Sequence, residues 1–142
     1  MSIKALLKTI VVLAASGAFV LYLFGQNAVK KTDALKLAPS GYLIDLAGRI
    51  GVAVPEKEPL PQHFCEMDSD PFGISKMAHS ITFMSLVEDV KSAESAAMKF
   101  LAAGDRDRMT IAAKDAISRW EHLLSTRARI DCYDLQAFKR SY

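Results

Sequence analysis

Acidic side chains are missing from the first 32 residues, and between Thr9 and Val29 there is no charge of either sign. A start of that kind is poor material for a soluble surface. Cysteine is almost as scarce, with two in 142 residues, Cys65 and Cys132. No Cys-x-x-Cys spacing occurs and no histidine pair stands at zinc-ligand spacing, which argues against a zinc ribbon or a thioredoxin-like redox site. The chain also lacks G-x-S-x-G, a Walker loop, H-E-x-x-H and the Rossmann glycine pattern. Gly48-Arg49-Ile50-Gly51 is too short a glycine motif to cradle a phosphate. There is no internal repeat and no low-complexity tract, and the one strand-like run, Gly51 to Val54, has no hairpin partner.

What is present begins with an uneven charge. Residues 1–36 carry five lysines, Lys4, Lys8, Lys30, Lys31 and Lys36, against Asp33, while residues 37–142 carry 13 basic and 15 acidic side chains. A basic collar on either side of an apolar run suits anionic lipid headgroups. A nucleic-acid-binding domain would need its basic stripe on the folded part, so no nucleic acid is expected.

The uncharged run is long enough to matter. As a helix, about 21 residues at roughly 1.5 Å each span the roughly 30 Å hydrocarbon layer. Ile10, Val11, Val12, Leu13, Phe19, Val20, Leu21, Leu23 and Phe24 each favour insertion by roughly 0.3–0.6 kcal/mol, about 4 kcal/mol together. Ser16, Gly17, Gln26 and Asn27 oppose it, and Tyr22 fits the interface. A cleaved signal peptide fits less well: cutting after Ala28 puts Gln26 where a small residue belongs, and cutting after Gly17 leaves too short an apolar stretch. A buried core helix is the other alternative.

Lysines on both flanks leave orientation undecided under the positive-inside rule. An even cysteine count in a small exported domain fits a disulfide and an oxidising compartment. The expected location is therefore a membrane, single-pass, with the C-terminal domain on the periplasmic or intermembrane-space side. Two unrelated thiols in a cytosolic domain are the alternative.

The expected fold is mainly α: one N-terminal transmembrane helix, then a small helical domain built on a long antiparallel αα-hairpin. Residues 1–8 form a short basic tail, 9–29 the transmembrane helix, 30–52 a juxtamembrane segment with a short amphipathic helix, 53–70 a proline-rich acidic arm, and 71–142 the hairpin. Ser40 is a natural N-cap for the short helix, with Tyr42, Leu43, Leu46, Ala47 and Ile50 on one face and Asp45 and Arg49 paired on the other, a helix that docks on the domain or lies along the lipid surface. Pro55, Pro59 and Pro61 keep the arm extended. Asp70-Pro71 predicts the opening of the first hairpin helix, with Ile74, Met77, Ala78, Ile81, Met84, Val87, Val90, Ala97, Phe100 and Leu101 at helical spacing. Gly104 predicts a left-handed stop and Asp105 a cap on the second helix, whose face holds Met109, Ala112, Ala113, Ala116, Trp120, Leu123, Leu124 and Ala128. Small residues near the turn favour close approach there, with Phe83, Met84 and Trp120 filling the wider end. A two-helix hairpin rarely covers its own apolar faces, so the short helix or a partner must supply a third layer.

Antiparallel geometry brings the end of the second helix back beside the start of the first, placing Cys132 near Cys65. A bond between them closes a loop worth about 4 kcal/mol on the chain-entropy model. His63-x-Cys65-Glu66-x-Asp68-x-Asp70 resembles a ligand set but lacks the glycine and oxygen count of a calcium loop and the four His or Cys ligands of a zinc site. His79 and His122 have no nucleophile or orienting partner at a diagnostic spacing. Met77, Met84 and Trp120 are the candidate partner-binding residues. No catalytic residue, metal or cofactor is expected, and no small-molecule substrate is evident.

The function expected from these features is that of a non-enzymatic accessory or structural subunit of a larger membrane assembly, with membrane lipid and other membrane-protein subunits as partners. A free-standing regulatory or exclusion-type membrane protein that binds a partner transiently is the alternative, and an anchored enzyme a third class.

Overall fold

The computed structural model describes residues 2–57, 65, 70 and 72–140, with side chains omitted from 136 onward. Among the described residues it contains four helices and no strand: α1 (Ile3–Ala34), α2 (Gly41–Ile50), α3 (Ile74–Ala102) and α4 (Arg106–Arg140).

The α3–α4 hairpin forms as expected. Gly104 takes a left-handed φ of 73° at the turn. Asp105 then caps α4 by accepting a hydrogen bond from the Arg108 amide, 3.2 Å away. Small residues meet near the turn, where Ala97 and Ala113 are fully buried with Met109. Farther along, Phe83, Leu86, Val90, Trp120, Leu123 and Ile130 make the larger core.

The third layer comes from the chain itself. Leu43, Leu46 and Ala47 of α2 are buried in the two cores. The Ser40 Oγ accepts from the Leu43 amide at 3.1 Å, as the N-cap reading expects, and Asp45 pairs with Arg49. Ser40 also donates to Glu94 Oε1 at 2.8 Å, so a buried carboxylate on α3 sits at the positive end of α2. After α2 the chain returns along α4. The Pro55 carbonyl accepts from the Trp120 indole at 2.9 Å, and Lys57 pairs with Asp131. The arm from 58 to 64 lies outside the described residues.

Three expectations need correction. Helix α1 is not confined to 9–29 but absorbs the basic tail and continues through Lys30 and Lys31 to Ala34. Lysine is a good helix former, and the last turns of α1 gain packing against α3. Helix α3 starts at Ile74, so Pro71 precedes it; Asp70 still caps it from a distance by accepting from the Ser75 and Lys76 amides. The buried stripe of α3 is also rotated from the expected one. Ser80 and Glu94 are buried, whereas Ile74 and Ala78 are exposed, because α3 is covered on more than one side and its apolar residues are spread around it.

Candidate functional site

The feature most able to carry function is α1 and its seat on the domain. One helix, α1, is long and apolar enough to cross a bilayer, and its apolar window is 0% buried by the rest of the chain. Ile10, Val11, Val12, Leu13, Phe19, Val20, Leu21, Tyr22, Leu23 and Phe24 are all exposed. That exposure sets aside the buried-core reading.

From Gly25 onward the same helix becomes part of the domain. Gly25, Ala28 and Thr32 recur on one face and are buried against α3. A Cβ on Gly25 would come within 2.9 Å of Met77 Sδ and 3.1 Å of its Cβ, so the absence of a side chain is what permits this approach. Gln26 Nε2 lies 3.6 Å from the same sulfur. Met77 is therefore turned inward as a knob against α1.

Polar contacts close the joint. Arg127 Nη1 donates to the Thr32 carbonyl at 2.9 Å. That carbonyl lies in the last turn of α1, where helical N–H donors run out, so a guanidinium from α4 caps α1. The same guanidinium pairs through Nε with Asp131 at 3.1 Å and lies 5.9 Å from the centroid of the Phe83 ring. Lys76 bridges Asp134 at 2.6 Å and Asp33 at 3.6 Å, tying all three helices. Two hydroxyls in this region, Thr32 Oγ1 and Ser80 Oγ, are buried without a hydrogen-bond partner among the described residues.

The disulfide expectation is met in position: Cys65 and Cys132 are bonded, their Cα atoms 5.1 Å apart. The bond pins the end of the arm to α4 below the Arg127 cap. The residues proposed for partner binding have partners within the chain. Met77 and Trp120 are buried against α1 and the arm, and Met84 is half-buried against the core. In this conformation Met77 and Trp120 present little surface to another molecule.

Histidines add no assembled chemistry among the described residues. His79 stacks on Tyr133 with ring centroids 5.7 Å apart, His122 is exposed on α4, and His63 lies outside the described residues. Of the acidic run read beside it, Cys65 is taken up by the disulfide, and Glu66 and Asp68 are also outside them.

The α1 seat could have been found in the sequence. Gly25, Ala28 and Thr32 are small residues at the spacing of one helix face, immediately after the bulky run ends at Phe24. Comparison with known proteins adds no relative: no family model matches the chain, and no curated protein or solved structure is similar to it.

Proposed function

We propose that this is a single-pass membrane protein whose helical domain serves as a non-enzymatic accessory or structural subunit of a larger membrane assembly. The observation that carries this reading is the unbroken course of α1, bare over its apolar part and clamped to the domain over its last three turns. A helix held in that way fixes the height and rotation of the domain over a bilayer. A subunit that supplies contacts needs such fixity, whereas a domain fishing for transient partners is served by a flexible tether.

Retention of the anchor has independent support. Cleavage after Ala28 would remove Gly25 and Ala28 from the packed joint and leave Met77 uncovered. Within the bare part, Ala14, Ala15, Gly17 and Ala18 are exposed small residues of the kind that allow close helix contact in lipid. The Cys65–Cys132 bond supports an oxidising side for the domain, the periplasm or the intermembrane space.

Crosslinking in cells followed by extraction in mild detergent tests the proposal. The expected result is one membrane partner recovered at constant stoichiometry whatever the growth condition. A monomer in detergent with a fully protected core, or capture that comes and goes with conditions, contradicts it.

A further inference from the structure

Helices α1 and α3 run in the same direction from their contact at Gly25 and Met77. Farther along both, Arg127 reaches the Thr32 carbonyl and the Phe83 ring together. This register sets the height of the domain along the anchor. Met77 stands level with Gly25, one residue past the bare apolar cylinder. Ile74 precedes Met77 by three residues, so it lies about 4.5 Å farther along α3 toward the end of the domain from which the apolar run of α1 emerges. Phe72 precedes Ile74 in the chain, at the foot of the helix.

Both side chains are largely uncovered. Phe72 is 77% exposed and Ile74 is 60% exposed. Leu135, next to the Asp134 that pairs with Lys76, is a third exposed apolar side chain at the same end of the hairpin. The opposite end of the domain stands tens of ångströms away along α3 and is level with no lipid-facing surface of α1.

We infer that the foot of the hairpin, Phe72 and Ile74 with Leu135 beside them, is a second membrane contact that sits in the headgroup region and upper acyl chains next to the anchor. This inference rests on α1 spanning a bilayer. Apolar side chains on an amphipathic surface partition to a depth of about 5–10 Å at the headgroup–acyl boundary, which is the layer this register gives them. Lys30 and Lys31 lie beyond Gly25 on the domain side, where ammonium groups meet headgroups from above. The patch lies at the end of the domain where the bare part of α1 meets its seat on Met77.

Tryptophan placed at the foot reads this directly. Full-length protein carrying Phe72→Trp, Ile74→Trp or Phe19→Trp is reconstituted into phosphatidylcholine–phosphatidylglycerol vesicles, with bromine placed either near the headgroup end or near the middle of the acyl chains. Both foot positions are exposed, so the fold tolerates the change. The native Trp120, buried in the domain, serves as the internal control. The expected result is loss of the added emission at 72 and 74 with shallow bromines, loss at 19 with deep bromines, and none at Trp120.

Quenching at 19 without quenching at 72 and 74, the latter being open to aqueous iodide, overturns the foot contact and leaves the anchor standing. Protection of 72 and 74 from both iodide and bromolipid assigns the patch to a second copy of the chain and also overturns it. Absence of quenching at 19 removes the anchor and the foot contact together.

Discussion

Arg127 is the residue on which most contacts converge: it caps α1, pairs with Asp131 and lies over Phe83. Its side chain is 16% exposed, so removing it leaves the Thr32 carbonyl with only the Leu35 amide and the Asp131 carboxylate with only Lys57, at a site water reaches poorly. Arg127→Ala is expected to cost about 2–3 kcal/mol, read by denaturant unfolding, and Arg127→Lys to recover only part because an ammonium lacks the planar fork that aims separate N–H groups at the carbonyl and the carboxylate. Ser80 works in the other direction. Its hydroxyl is buried without a partner among the described residues, and Ser80→Ala is expected to leave stability unchanged or raise it by about 1 kcal/mol. A loss of more than that amount would show that the hydroxyl has a partner. Neither residue announces itself in the sequence. Arg127 reads as one more charge on a helix surface, and Ser80 as a polar gap in the α3 stripe, because what fills their surroundings comes from a helix 95 residues away in the Thr32–Arg127 contact.

Among the elements, the hairpin was the most legible, because its signals are local. Gly104 needs only its own φ and Asp105 only the amide of Arg108. Ser40 and the short helix after it were legible for the same reason. The extent of α1 was not, since lysines at 30 and 31 suggest a border to anyone weighing hydropathy, whereas the backbone hydrogen bonds continue and the seat on α3 holds them. The rotation of the α3 stripe escaped for a related reason: a helix packed on more than one side has no single face to detect. Two outcomes belong at this scale. Gly25→Leu forces the Met77 knob out of the seat and is expected to destabilise by about 1–3 kcal/mol, with Met77→Ala in the same chain restoring part of the loss. The disulfide closes a loop with a sequence separation of 67. Reduction, or paired Cys65→Ser and Cys132→Ser, is expected to cost up to about 4 kcal/mol, with the fall in unfolding midpoint matching between the two treatments.

At the scale of the whole molecule, the third layer over the hairpin, which the sequence left open between the short helix and an outside partner, is filled by α2, the arm and the end of α1. The longest uncovered apolar surface lies on α1, with smaller exposures at Phe72 and Ile74, at Tyr42 and Ile44 of α2 and at Ile111 of α4, and on the proposed reading α1 is where lipid and neighbouring membrane proteins would be met. The small residues of the bare part and the Gly25–Ala28–Thr32 seat divide one helix between two jobs. On the proposed reading the first faces lipid and other helices, while the second grips the chain's own domain.

The most direct measurement is amide hydrogen exchange on the full chain in lipid nanodiscs, followed from residue 9 to residue 40. Uninterrupted slow exchange through Ala34, rising only in the extended stretch before α2, is the expected outcome, because lipid protects the first part and the domain the second. Fast exchange anywhere between Phe24 and Ala34 would mean a flexible joint in place of a rigid stalk, and would contradict the fixed seating on which the proposed role depends.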